Sequence, residues 1–202
     1  TTMGASDPNY GIFMILRGMA NGITIRVPTG TVANDVMIAS IGARPCSGTS
    51  GNACTTTITP PGGWAQVNSF HQATAGRTGV YCTILCVYRR VASGAGPAAY
   101  SWGLGGNPVN NGAVGGILSF SGVDTTNPIV IDGGQVTTSA ATHTAATINT
   151  GAETNTMLVG SFVANSSATW TPPGTMTEAV DVPSLTLTND LGLSIEINYE
   201  AR

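Results

Sequence analysis

The sequence predicts an all-β chain folded as a two-sheet antiparallel sandwich, jelly-roll-like, and three observations carry that expectation. Short segments rich in Val, Ile, Thr, Tyr and Phe alternate along the whole length with clusters of Gly, Pro, Asn and Asp. No stretch repeats its apolar residues every 3.6 positions between capping signals, so no helix is expected. One set of strands and turns occurs twice.

The expected strands follow in order. Segment 11–17 holds the longest apolar run, Ile12-Phe13-Met14-Ile15-Leu16, which is strand-sized and far short of the ~20 residues a membrane helix needs. Strand 22–27 is rich in Ile and Val and ends before Pro28. Strand 35–43 is apolar almost throughout, and 55–59 stops at Pro60-Pro61. Strand 65–70 follows the Gly62-Gly63 turn, and 80–91 is the longest. Strands 98–104, 113–121, 134–139, 156–164, 176–182 and 192–200 complete the set, each bounded by turn formers.

The duplication supplies a register. The first copy runs Val36-Met37-Ile38-Ala39, Thr59-Pro60-Pro61-Gly62-Gly63-Trp64 and Thr83-Ile84-Leu85-Cys86-Val87-Tyr88. The second runs Thr156-Met157-Leu158-Val159, Thr171-Pro172-Pro173-Gly174-Thr175-Met176 and Ser194-Ile195-Glu196-Ile197-Asn198-Tyr199. The first copy is longer between its first strand and its Pro-Pro turn, by about the length of the insert from Ser47 to Cys54. Alternation puts Cys82, Ile84, Cys86 and Tyr88 on one face, matching Leu193, Ile195, Ile197 and Tyr199. That row is expected in the core. The opposite row, Ser194, Glu196, Asn198 and Glu200, is expected to face solvent.

Composition narrows the classes. Charged residues are 8% of the chain, against roughly 25% in ordinary globular proteins, and none of the basic residues is lysine. Scattered arginines and a net charge of −3 speak against a nucleic-acid partner, because phosphate binding needs a clustered basic surface. No transmembrane helix is expected, and with no basic n-region an exported chain would already have lost its signal peptide; an extracellular or cell-surface location is the expectation.

Four cysteines bear on compartment and stability. Cys82 and Cys86 lie about 13 Å apart along one strand, too far for a disulfide to each other. Cys46 and Cys54 flank a Ser/Gly/Asn loop that closes easily, and such a ring would contribute ~2.5 kcal/mol. Two arrangements stay open: that local staple with two reduced core cysteines, favoured, or two bridges from the insert to strand 80–91.

Chemistry is sparse. His71 and His143 stand alone, no serine elbow is present, and the carboxylates are dispersed, so no enzyme and no cofactor are expected. Asp124 and Asp132 bracket an oxygen-rich turn that could bind calcium but reads first as ordinary turn chemistry. Trp102 and Tyr100, with Trp64 and Trp170, could make a sugar-stacking platform; core packing is the commoner role of such rings in a sandwich.

Several runs carry a family likeness. They are Pro28 to Ile41, Thr59 to Trp64, Val87 to Ala92, Tyr100-Ser101-Trp102, Gly115 to Asp124, Asn155 to Val159 and Thr171 to Glu178. Together they resemble the β-sandwich domain of large secreted bacterial proteins, including MSHA-type pilus (agglutinin) biogenesis proteins. The resemblance covers roughly residues 22 to 200, implies the fold, and transfers no catalytic residue. The Cys46–Cys54 insert departs from it.

These readings divide the chain into an N-terminal segment, 1–21, and a sandwich domain, 22–202. They lead to an extracellular structural subunit that forms a homo-oligomer or polymer, with Ile12, Phe13, Met14, Ile15 and Leu16 as the strand it would add to a neighbour's sheet. The same strand could instead open its own sandwich. A monomeric adhesion or carbohydrate-binding module, with a glycan or cell surface as partner, is the alternative, and a phage-virion decoration domain a distant third. Without lysine, no Lys–Asn isopeptide crosslink can form.

Overall fold

A computed structural model describes residues 22–44, 57–72, 83–105, 112–137, 140–183 and 192–202, with side chains 71 and 72 excepted. The N-terminal run Ile12 to Leu16, the insert with Cys46 and Cys54, and Cys82 lie outside the described residues. Every regular element among the described residues is a β-strand, and every pairing is antiparallel. No helix of the described residues is long and apolar enough to cross a membrane.

Among the described residues ten strands follow the expected order: β1 (Gly22–Arg26), β2 (Val36–Ala43), β3 (Thr57–Thr59), β4 (Ala65–Gln72), β5 (Thr83–Val91), β6 (Ala99–Gly105), β7 (Ala113–Phe120), β8 (Met157–Ala164), β9 (Thr177–Pro183) and β10 (Ser194–Ala201). The strand expected over 134–139 does not form where described. Residues 133–137 are held by side chains instead: Gln135 Nε2 donates to the Thr144 carbonyl, and Thr137 Oγ1 bonds His143 Nδ1 at 2.6 Å. Gly133-Gly134 lacks the side chains that would favour a ladder.

The strands make three sheets where a single pair was expected: β1-β6-β3, β4-β5-β2-β7 and β8-β10-β9. The reason lies in β2 and β7, which are buried at all eight positions each. Alternation gives such strands two apolar faces, and both need cover. One face of the central sheet (Met37, Ala39, Ile41, Ile84, Cys86, Tyr88, Ile117) packs on Ile23, Ile25, Ile58, Tyr100 and Trp102 of the first sheet. The other (Val36, Ile38, Leu85, Val114, Leu118, Phe120) packs on Val180, Val182, Leu193, Ile195, Ile197 and Tyr199 of the third. The sandwich principle is met twice, once on each side.

Polar ties cross both layers. Tyr88 donates its hydroxyl to the Ile58 carbonyl at 2.7 Å, joining central and first sheets. Ser40 and Ser161 share a 2.7 Å hydrogen bond between central and third sheets. Arg44, at the end of β2, donates Nη1 to the carbonyls of Asn165 and Gly192 beside the third sheet.

The duplication is real in three dimensions. The order β4-β5-β2 repeats as β9-β10-β8. Pairs such as Tyr88↔Gln66 and Tyr199↔Thr177 are one register displaced by the same 111 positions. Each copy carries an irregularity in that pairing, and each Pro-Pro turn closes with the same bond, Trp64 N to Pro61 O and Met176 N to Pro173 O. Gly63 sits at φ 85° in the first turn, where a side chain would also run into the Arg90 guanidinium.

Close sheet packing yields a stability test. A Cβ on Gly115 would stand 2.6 Å from Ile25 Cδ1 and 2.9 Å from both Ile41 Cδ1 and the Ser40 carbonyl, whereas one on Gly62 meets nothing within 4 Å. Gly115→Val should cost at least about 1–3 kcal/mol in urea unfolding, and Gly62→Ala less than ~0.5 kcal/mol. Equal effects would contradict this packing of the first sheet on the central one.

Candidate functional site

Three places gather the residues with chemical potential: the aromatic cluster under the first Pro-Pro turn, the Cys86–Tyr88 pair, and the outer face and edge of the third sheet.

Trp102 is fully buried and Tyr100 nearly so. They pack with Trp64, whose ring lies 5.2 Å from each of theirs in edge-on arrangements, and with Tyr88. Arg90 stacks over Tyr100 at 4.9 Å while its Nη1 holds the Gly62 carbonyl of the turn. Neither Trp102 nor Tyr100 presents a ring face to a sugar, which corrects the ligand-binding expectation for both. Alternation along β6 explains it: 100 and 102 point into the first core beside Ile23 and Ile25.

Cys86 is a buried free thiol on the core row with Ile84 and Tyr88, the row assigned by comparison with Ile195, Ile197 and Tyr199. Burial pushes its pKa up, partly offset by a hydrogen bond with Tyr88. Burial, and then the neighbouring Cys86, push the Tyr88 hydroxyl up as well. Cys86 itself is in no disulfide, while Cys46, Cys54 and Cys82 lie outside the described residues.

Asp124 and Asp132 each have a local partner. Asp124 Oδ1 accepts from the Thr126 amide at 2.8 Å, closing an Asx turn, and Asp132 Oδ2 accepts from Asn68 Nδ2 on β4. No group of three or more His, Cys, Asp or Glu among the described residues is arranged to hold a metal ion.

The outer face of the third sheet overturns the solvent-facing expectation. Ser194, Glu196 and Asn198 are 0%, 1% and 0% exposed. Trp170 forms part of the cover: its Nε1 donates to Ser194 Oγ and its amide to Asp181 Oδ2, both at 3.1 Å. Phe162 and His143 lie 6.0 and 5.7 Å from the Trp170 ring. Sequence alternation marked these positions as polar but gave no sign of a roof built from residues far along the chain.

Under that roof, Glu196 stands directly across from Asp181 on β9, and Glu178 lies opposite Asn198. Asn198 Nδ2 donates to Glu196 Oε1 at 2.6 Å. Gly160, across from Asn198 on β8, leaves the space its amide oxygen occupies. Burial raises the Glu196 pKa, the Asn198 bond opposes the rise, and the charges of Glu178 and Asp181 add to it.

The edges complete the picture. β8 pairs with β10 without a break over eight residues, carries no charge and no proline, and is half-buried throughout. The β9 edge carries Glu178, Asp181, Pro183 and the register irregularity. β4 has an irregular register too, β1 is five residues with a terminal arginine, β3 is three residues, and β7 is regular over eight residues but buried at each of them.

Two outcomes test these environments. A carboxyl raised in the folded state adds stability that is full below its unfolded pKa and is lost as pH rises through the folded value. Glu196→Gln should therefore gain on the native protein with rising pH in urea unfolding; parallel pH profiles would contradict a buried, repelled carboxyl. Cys86 should resist alkylation in the native protein and react fully once unfolded, as followed by peptide mass spectrometry; rapid native labelling would contradict its burial.

Comparison with protein families, curated proteins and solved structures finds no significant match for this chain.

Proposed function

We propose that the protein is a non-enzymatic, extracellular structural subunit that joins copies of itself by strand addition, building a filament or surface layer. The observation that carries this reading is the β8 edge: long, regular, uncharged and half-buried. Natural sheets guard such edges with lysine, proline, bulges or inward charges, because the unpaired backbone groups template pairing with another chain. Here β9 has those guards and β8 lacks them. The absence of lysine and the low charge of the whole chain support the same reading. So does the resemblance to the domain of secreted bacterial proteins, MSHA-type pilus proteins among them. The added strand would be Ile12 to Leu16, apolar on both faces as a strand buried in a neighbour would be.

One observation favours the second reading, a monomeric adhesion or carbohydrate-binding module. Trp170 is only partly buried and stands with Phe162 and His143 on the outside of the third sheet, where an aromatic surface could stack on a sugar. That moves the ligand-binding candidate from Trp102 and Tyr100 to Trp170.

Electron microscopy of the purified protein at rising concentration separates the two. Regular fibres or sheets are expected, and dispersed single particles at the highest concentration would overturn the assembly reading. Glycan-array binding lost on Trp170→Ala would install the second reading in its place.

A further inference from the structure

We propose that the free edge of β8 receives Ile12 to Leu16 of a second copy, in trans, and that the strap at residues 132–134 must lift to admit it. This rests on the assembly reading above and names its acceptor site, its donor's origin and the contact that gates it.

Reach excludes donation within one chain. Leu16 is six residues before Gly22, the first residue of β1, so even a fully extended link spans about 21 Å. β1 belongs to the first sheet and β8 to the third, on opposite sides of the central sheet. Stacked sheets lie about 10 Å apart, which puts ~20 Å between those layers on a straight line through a closed core. The chain cannot take that line. β1 packs near β7 and β8 over β5, with β2 between β5 and β7, so the offset adds about 10 Å sideways. The segment falls short of its own β8. A neighbour's segment has no such constraint.

The edge fits the donor chemically. β8 presents Met-Leu-Val-Gly-Ser-Phe-Val-Ala and the donor Ile-Phe-Met-Ile-Leu, so no charge is desolvated on either side. The other edges fit less well: β9 would bury Glu178 and Asp181 against the donor, β3 is too short, β1 is five residues ending in Arg26, and β4 is irregular. β7 is as long, regular and uncharged as β8, but it is buried at every position, whereas β8 is only half-buried. Donor and acceptor are different surfaces, so the contact is head-to-tail and propagates.

The strap follows from register. β8 packs over β5, so a strand added beyond it lies over β4. On β4, Asn68 and Phe70 pair with Val87 and Leu85 of β5, the row that faces the third sheet. Residues 132–134 now cover them, Asp132 accepting from Asn68 and Gly134 lying against the Phe70 ring. No backbone hydrogen bond among the described residues ties the strap to β8. The Asn68–Asp132 bond is an exposed side-chain contact, a gate that pairing along the eight-residue edge can open.

The experiment mixes two variants of the full chain. Leu158→Lys puts a charge on the β8 edge across from Glu200, which can receive it, and Leu158 lies outside the core clusters. Met14→Asp puts a charge in the donor. Each alone should sediment as monomer, and an equimolar mixture should give two-copy complexes and nothing longer. Asn68→Ala should speed assembly of the otherwise native chain. If Met14→Asp still dimerises while Leu158→Lys does not, β8 pairs with β8 and the donor is wrong. If Leu158→Lys still polymerises, the assembly reading stands and this edge is wrong. If the native chain never leaves the monomer, the assembly reading itself fails. Should Leu158→Lys misfold, hydrogen exchange on the native chain with an excess of a peptide spanning residues 10–18 decides: protection of 157–164 is expected, and protection confined to 113–120 overturns the proposal.

Discussion

The fold depends on one constraint: the central sheet has no polar face. β2 and β7 bury every side chain they carry, so apolar cover is required above and below. Two separate core clusters supply it, one built with the first sheet and one with the third. The duplicated unit makes this possible. The second copy lays the face of β10 that bears Ile195 and Ile197 against the back of the first copy, so the two pack in the same orientation, front to back. The first copy's own front, with Ile84 and Tyr88, is left for β1, β6 and β3.

That stacking order decides where polar residues can go. The back of the second copy corresponds to a buried row in the first, and it is roofed as well, by Trp170 with Phe162. Its polar side chains are satisfied in part: Asn198 Nδ2 donates to Glu196 and Ser194 accepts from Trp170, while Asn198 Oδ1 and Asp181 Oδ1 have no hydrogen-bond partner among the described residues. Burial and the charges of Glu178 and Asp181 oppose ionisation of the Glu196 carboxyl, which stands opposite Asp181. With faces covered, the sheet edges become the places where backbone groups still seek partners, and β8 is long, regular, uncharged and only half-buried, where the equally regular β7 is buried throughout.

Much of the strand order was legible because each segment ends at Pro, Gly or Asn with a definite turn. The two Pro-Pro-Gly turns, matched in sequence, close with equivalent hydrogen bonds in the structure. The core placement of Cys86 followed from aligning it with Ile197, since alternation fixes the face once the register is known. The third sheet was not legible: a strand apolar on both faces, such as β2, has the same local pattern whether one sheet or two pack on it. Nor was the burial of Glu196 and Asn198, because an alternating polar row looks solvent-exposed until a distant residue such as Trp170 lies over it. Trp102 and Tyr100 were ambiguous for the same reason, since aromatic residues suit a core and a binding surface equally in composition.

The central claim is that the middle sheet is sealed on both faces, and native-state hydrogen exchange tests it most directly. Amides of β2 and of the inner ladder of β5 should exchange only through global unfolding, with the denaturant dependence of the whole protein, while those on the free edge of β8 exchange sooner. Sub-global exchange of β2 at the rate of β8 would contradict a core closed on both sides.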